Sequence, residues 1–403
     1  MTQPQEASPA QASEASVRPP RRAANGFPEP LGPLICGPAD IFDAAAVRAQ
    51  IDASAAGCTP AELRGETVKI LRAANKAGRA VIAEAFAAKP FAARELTRSY
   101  TFLTDGLVTT ALHVASGLLH PLANPTRGER IAVMAVGGYG RGEMAPASDV
   151  DLLFLTPYKI TAWAESVIES MLYILWDLRL KVGHASRTIK DCIRLGAEDY
   201  TIRTAMLEHR FLAGHAPLAK ELDKRLRAEL FSKDAEQFIE AKLAERDARH
   251  LKQGQRYVVE PNVKEGKGGL RDLQSLFWIA KYLYQVKDTE DLVPLGLFRA
   301  EEMELFANAA AFLWAVRSHL HLATGRATEQ LTFDMQVDVA ARMGYEDKAG
   351  RRGVELFMQD YFRHATRVGD LTRIFLTKLE ASHQKGAPLL ERIFRRRPRT
   401  KAG

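Results

Sequence analysis

The sequence predicts an α+β protein in which a small α/β unit with a mixed sheet, at residues 126–200, is flanked by helical segments. Three observations predict it. Ile131-Ala132-Val133-Met134-Ala135-Val136 and Asp149-Val150-Asp151-Leu152-Leu153-Phe154-Leu155 are short apolar runs, the first ending in Gly137-Gly138 and the second closed by Pro157, as buried strands are. Lys181-Val182-Gly183-His184-Ala185 reads as a third short strand. On both sides of this unit the apolar residues recur at helical spacing instead.

Taken in order, residues 1–32 are rich in Ala, Pro, Gln, Ser and Glu with almost no large apolar side chains, and read as a disordered tail. Residues 40–125 form a helical prelude. Within it Thr59-Pro60-Ala61-Glu62 is a helix start: Thr caps, Pro suits the first turn, and Glu three residues after the cap completes a capping box. That helix should run to about Ala87. Pro90 opens another, carrying Leu96, Tyr100, Leu103, Leu107 and Leu112. A helix over 161–178 follows the second strand, with Val167, Met171, Ile174, Leu175 and Leu178 on one side. From Thr188 to His383 almost everything reads as helix, apart from a glycine-rich loop at 254–270. Residues 201–385 are therefore expected as a helical domain that completes a cleft. Its stripe of Phe306, Ala310, Leu313, Trp314, Val316 and Leu320 has core packing as its default role. Residues 386–403 read as a basic linker or tail.

Composition narrows the class of function. A length of 403 residues suggests two or three domains. With 46% hydrophobic and 26% charged residues the chain can bury a core, which excludes a collagen, a wholly disordered chain and a disulfide-stapled miniprotein. The net charge is +7, but residues 391–403 hold six basic residues against one acidic, five of those seven charges. The rest is nearly neutral, so no basic stripe for nucleic acid is expected. Three cysteines, Cys36, Cys58 and Cys192, form no CxxC pair, which suits a reducing cytoplasm and argues against a cysteine zinc site. No apolar run approaches the roughly 20 residues of a bilayer span, and the N-terminus lacks the apolar stretch of a secretory signal. Neither nucleic acid nor a membrane is an expected partner.

The chemistry concentrates between Val136 and Asp151. Residues i and i+2 of a strand face the same way, so Asp149 and Asp151 present two carboxylates side by side while Val150 and Leu152 face a core. Two adjacent anions repel, and a divalent cation removes the conflict. Mg²⁺ takes carboxylate, phosphate and water oxygens, with Mn²⁺ as the alternative ion. Gly137 and Gly138 allow a tight turn with bare backbone N–H groups at a helix start, which can hold a triphosphate against the metal. Ser148 offers a hydroxyl at the same edge, and Arg141 can reach a phosphate oxygen, with Glu143 as a competing partner.

The segment Glu260-Pro261-Asn262-Val263-Lys264-Glu265-Gly266-Lys267-Gly268-Gly269-Leu270-Arg271-Asp272 is next. Lys264, Lys267 or Arg271 can meet a triphosphate, and Gly268-Gly269 can let the backbone approach it. Equally, the segment can be a capped turn in which Arg271 and Asp272 pair structurally. It lacks the GK[ST] of a P-loop.

A strand, Gly-Gly, ten residues and then DxD in an apolar strand resembles the polymerase-β-like nucleotidyltransferase fold. The match is closer still. VGGYGRGEMAPASDVDLLFL, LWDLRLKVGHASRTIKDCI and VEPNVKEGKGGLRDLQSLFWIA resemble motifs of the bacterial PII uridylyltransferase/uridylyl-removing enzymes (GlnD), in the same order, over residues 90–385. The resemblance implies transfer of UMP from UTP to a loop tyrosine of the signalling protein PII. It implies Asp149 and Asp151 as the metal-binding catalytic pair and Gly137 and Gly138 as nucleotide-loop glycines. One departure concerns a third carboxylate: the 180–184 strand has no acid, and neither Asp177 nor Asp191 beside it can be assigned. The family usually continues into an HD hydrolase, which removes UMP, and paired ACT sensors. None of the ten histidines here is followed by Asp, so both are expected to be absent from this chain. His319 and His321, two apart on a helix, diverge and read as surface or core residues rather than a metal pair. For His184 a structural hydrogen bond is expected. Two other readings stand beside this one. The same fold can serve another acceptor or donor, ATP included, or the chain can be a catalytically silent module that binds PII or nucleotide.

Overall fold

At the centre is a four-stranded mixed sheet in the order β3-β2-β1-β4. The computed structural model describes residues 29–254, 258–286 and 288–382. Most of the expected N-terminal tail and the whole of the basic segment 386–403 therefore lie outside the described residues. The strands are β1 (Ala132–Ala135), β2 (Val150–Thr156), β3 (Val182–Thr188) and β4 (Arg210–Gly214). β1 runs antiparallel to β2 and to β4, whereas β2 and β3 are parallel with Asp151 opposite Gly183.

Alternation divides the apolar residues of β1 and β2 between two cores. Val133, Ala135, Val150, Leu152 and Phe154 belong to a large cluster, and Ala132, Met134, Leu153 and Leu155 to a second, smaller one. Burial on both faces is why these strands read as unbroken apolar runs.

Helices cover both sides. Ahead of the sheet come α1 (Pro38–Ile41), α2 (Ala44–Ala55), α3 (Pro60–Ala88) and α4 (Ala93–His113), the last continuing in π form over Val114–Leu119. Within and just after it lie α5 (Gly137–Arg141), α6 (Ala162–Asp177), α7 (Ile189–Glu198), α8 (Tyr200–Leu207) and α9 (Ala216–Arg225). The remainder is α10 (Ala235–Gln253), α11 (Leu270–Tyr284), α12 (Ala300–Thr324), α13 (Phe333–Arg342) and α14 (Gly353–Ser382). α3, α4, α6, α12 and α14 contribute to the large cluster, α7, α8 and α9 to the small one. The stripe on α12 is core: Leu313, Val316 and Leu320 are fully buried.

Local signals set several boundaries. Thr59 and Glu62 form the expected capping box, and α3 ends at Ala88; a cap of this kind is worth about 1 kcal/mol. α4 begins at Ala93 rather than at Pro90, because Ala92 and Ala93 first close a turn on the carbonyls of Lys89 and Phe91. It is buried along nearly its whole length. Its threonines are tolerated there because Thr101, Thr104 and Thr109 donate to the carbonyls of Thr97, Tyr100 and Asp105 at 2.7–2.8 Å. By length and composition Ala93–Leu119 could cross a bilayer, but most of it is buried within this fold.

The reading of 188–383 as helix with one loop misses β4, which pairs with β1. Five residues between two helices are too few for periodicity to separate strand from helix. The sheet therefore extends past residue 200, into the stretch assigned to the helical domain.

Candidate active site

β1 leads directly into the Gly-Gly turn. The Val136 N–H donates to the Asp151 carbonyl at 3.1 Å, which fixes the turn against β2. Gly137 then takes φ +59°, a left-handed conformation that glycine adopts without strain, and opens α5. The first N–H groups of a helix have no partner within it, and those of Gly137 and Gly138 come directly after β1. A side chain at 137 would meet Asp151 Oδ2 at 3.4 Å, and one at 183 would meet Asp151 Oδ1 at 2.6 Å. The Asp151 carboxylate thus lies between two glycines, one from the turn and one from β3. Asp149 stands exposed immediately before β2.

Ser148 shapes the approach to Asp149. Its Oγ accepts the Ala145 N–H at 2.9 Å, and its own N–H donates to the Ala145 carbonyl at 3.0 Å. Two long helices clamp this turn. Arg79 on α3 donates to the Pro146 carbonyl at 2.6 Å, and the Ala147 N–H donates to Nδ1 of His321 on α12 at 3.3 Å.

The glycine-rich loop supplies the opposite wall. Asn262 Oδ1 accepts the N–H groups of Lys264 and Glu265 at 3.1 and 2.7 Å, and the Arg271 N–H closes on the Lys264 carbonyl at 2.9 Å. Asp272, almost fully buried, receives the Gly268 N–H at 2.9 Å, Arg249 at 2.5 Å and His250 at 2.9 Å. This folding brings Lys264 into electrostatic range of Asp151. Burial, and then repulsion by Asp149, push the Asp151 carboxyl above its usual value, and Lys264 opposes them. Burial and the nearby Arg317 lower the Lys264 ammonium, with Glu329 opposing.

The two arginines nominated from sequence are placed differently. Arg141 is buried between carboxylates, with Nε 2.8 Å from Glu143 and Nη1 bonded to Glu208, whose side chain is 1% exposed. Burial alone would lower its pKa; Glu208 and Glu143 raise it instead. Arg271 gives Nε and Nη2 to Glu265 at 3.3 and 3.2 Å and Nη1 to Gln274 at 3.0 Å, with its guanidinium 5.3 Å from the Trp278 ring centre. Both pair with protein carboxylates here, so a phosphate would have to compete with Glu143 and Glu208 for Arg141 and with Glu265 for Arg271. The alternative of an Arg271–Asp272 pair fails, because Asp272 is held by Arg249 and His250. Lys267 is exposed.

Other expectations resolve in the same way. Asp191 caps α7 by accepting the hydroxyl and N–H of Thr188 at 2.7 and 3.2 Å. Among the described residues no three His, Cys, Asp or Glu side chains gather as a metal site. Directly across from Asp151, β3 offers Gly183 instead of an acid. His319 is a core residue, stacked on Phe86 at 4.3 Å with Nε2 2.9 Å from the Pro90 carbonyl. Burial lowers its pKa to about 4. His184 makes edge-on ring contacts with Phe154 and Trp176, and among the described residues its side chain has no hydrogen bond of the kind expected.

Sequence reasoning missed Gly183, Arg210, Glu329 and His321. Arg210 on β4 forms a two-pronged pair with Asp105 of α4 at 2.8 and 3.0 Å and donates to the carbonyls of Tyr139 and Gly140 at 3.3 Å, bracing the Gly-Gly helix from below. No local signal marks any of these residues, because their partners lie far along the chain. The donor set fits Mg²⁺: two carboxylates, one of them destabilised as an anion by burial and by its neighbour, with glycines leaving room on either side.

Gly183 yields a first prediction. Gly183→Val improves strand propensity on an edge strand yet drives a side chain into the Asp151 carboxylate. Thermal stability should change little, while Mn²⁺ affinity measured by electron paramagnetic resonance falls by about tenfold or more.

The class follows from the sheet, the turn and the paired carboxylates together, and a family model described as "Nucleotidyltransferase domain" matches residues 123–212. A second, "GlnD PII-uridylyltransferase", matches residues 237–376. The chain is 75% identical over 364 residues to the "Bifunctional uridylyltransferase/uridylyl-removing enzyme" of Ruegeria pomeroyi, covering 90% of this chain and 40% of that protein. Proteins of the same name from Cereibacter sphaeroides (64% identity, 91% and 40% coverage) and Azospirillum brasilense (52%, 80% and 35%) also match. The chain belongs to the GlnD PII-uridylyltransferase family. It spans about 40% or less of the length of these curated relatives.

Proposed function

We propose that this chain transfers UMP from UTP to a tyrosine of PII, using a divalent cation held by Asp149 and Asp151, in the cytoplasm. The carrying observation is the Asp151 carboxylate set between Gly137 of the turn and Gly183 of β3, where added side chains would meet its oxygens at 3.4 and 2.6 Å, with Asp149 two residues before it. Two carboxylates beside glycine-lined space, with Lys264 in electrostatic range of Asp151, suit a triphosphate whose remaining charge is met by metal. The names of the relatives support uridylyl as the group and PII as the acceptor.

The acceptor oxygen attacks the α-phosphorus in line, the new P–O bond forms, and the bond to the β-phosphate breaks with departure of pyrophosphate. Mg²⁺, when bound, neutralises charge on the triphosphate and eases loss of the acceptor proton. Asp149 and Asp151 supply its protein oxygens. Lys264 and the N–H groups of Gly137 and Gly138 orient the phosphates, and Ser148 holds the turn that aims Asp149. Arg141 and Arg271 are left out of this set. Uridylyl removal is not assigned to these residues.

The test uses the purified chain with PII, Mg²⁺ and α-labelled UTP or ATP, and an Asp149→Asn/Asp151→Asn control. Label on PII from UTP alone, lost in the control, is expected. Label from ATP, or pyrophosphate release without labelled PII, would assign another donor or acceptor. Binding of PII with no pyrophosphate release would overturn the enzymatic reading.

A further inference from the structure

One carboxylate joins the two halves of the site. Glu329 lies between α12 and α13, and its backbone carbonyl accepts the Val263 N–H at 2.9 Å at the base of the glycine-rich loop. Its side chain accepts Arg317 Nη2 at 2.7 Å and Nε at 2.9 Å, and stands 3.9 Å from Lys264 Nζ and 3.6 Å from His321 Nε2. Burial would raise the Glu329 pKa; His321 and Arg317 hold it down at about 2.

His321 continues the connection to the other wall. Its side chain is fully buried, and Nδ1 accepts the Ala147 N–H, two residues before Asp149. Accepting there leaves Nδ1 bare and puts the ring proton on Nε2, which stands 3.6 Å from Glu329, within ion-pair range but beyond hydrogen-bond distance. The sequence Lys264–Glu329–His321–Ala147 thus runs from the loop that carries the ammonium to the turn that leads into Asp149 and β2. Both of its middle members are fixed to α12 or to the segment just after it.

We propose that His321 and Glu329 are positioning residues that set Lys264 and the Asp149/Asp151 strand in register for a metal–triphosphate substrate. Their partners are Ala147, Arg317, Lys264 and Val263 rather than the aspartates, so they act through their neighbours. The proposal rests on the reading of Asp149 and Asp151 as the metal pair.

Two substitutions separate positioning from mere packing. In His321→Asn the side-chain oxygen can take the place of Nδ1 and accept the Ala147 N–H; in His321→Leu nothing can. Each variant of the full chain is measured by thermal unfolding, by Mn²⁺ binding without nucleotide, and by KM for UTP. His321→Leu is expected to weaken Mn²⁺ binding and raise KM about tenfold, at a melting temperature near that of the unsubstituted chain. His321→Asn should restore both to within about threefold. Glu329→Gln should raise KM for UTP while leaving Mn²⁺ binding nearly intact, since it releases Lys264 and not the aspartates. This variant also carries the test if His321→Leu does not fold.

Unchanged Mn²⁺ binding and KM in His321→Leu would overturn the proposal while leaving the metal pair in place. So would equal losses in the Leu and Asn variants that track their melting temperatures. If Asp151→Asn binds Mn²⁺ as well as the unsubstituted chain does, the metal-pair reading itself fails and the positioning role falls with it.

Discussion

Asp151→Asn is expected to lose uridylyl transfer by at least about 100-fold and, without metal, to melt at a higher temperature than the unsubstituted chain. The first effect follows from removing one of the two carboxylates at the site. The second follows from electrostatics. Burial and the neighbouring Asp149 raise the Asp151 pKa above its ordinary value. The folded chain therefore binds this proton more tightly than the unfolded chain does. The stability it contributes is present below the ordinary aspartate range and is lost as pH rises through the raised folded value. As pH rises the metal-free protein takes on this penalty, and asparagine, with a similar shape and no charge, removes it. Melting curves with a chelator from about pH 4 to 7 should show the unsubstituted chain losing stability relative to the variant as pH rises. Saturating Mg²⁺ should reverse the order, because only the unsubstituted chain gains from binding. Equal melting temperatures with and without metal would count against the site.

Arg141→Met has the largest expected effect on stability. Arg141 is 9% exposed and its partner Glu208 1%, so truncation strands a buried carboxylate. Breaking such a pair from one side costs about 3–5 kcal/mol. Glu208 has little recourse but to take up a proton, and burial already raises its pKa. Chemical denaturation should show this loss. The fraction that remains folded should keep its KM for UTP within about twofold, since Arg141 spends its hydrogen bonds on Glu143 and Glu208. A KM raised tenfold or more in folded protein would return Arg141 to the phosphate contacts. The companion change Glu208→Gln with Arg141→Met should recover part of the loss, because the charge and its partner leave together.

What could be read from the sequence is what depends on neighbours along the chain. The Thr59–Glu62 capping box, the β1 run ending at Gly137 and the same-face spacing of Asp149 and Asp151 are all local, and they placed the sheet and the candidate metal pair. β4 was hidden because five residues carry too little pattern. Gly183 looked like any strand glycine until the parallel register set it across from Asp151. Arg141 illustrates the limit best. Glu143 is visible beside it as a competitor, but Glu208, its buried partner, lies 67 positions away. The link from His321 to Ala147 spans 174 positions and depends on α12 packing against the sheet unit. Side chains that brace a site from a distance have no sequence signature of their own.

The burial of α4 has a consequence for how the chain is made. This helix is apolar enough to pass for a bilayer span, and the hydroxyls of Thr101, Thr104 and Thr109 are already satisfied within it. Part of its cover, α12, begins at Ala300, well after α4 ends at His113. At about 5–20 residues per second, the ribosome takes roughly 10–40 s to supply that cover. During that interval the nascent chain displays a greasy, self-satisfied helix to every targeting factor and chaperone at the exit tunnel. α3 and α6, which emerge on either side of it, also pack on α4 in the folded chain and are synthesised well before α12.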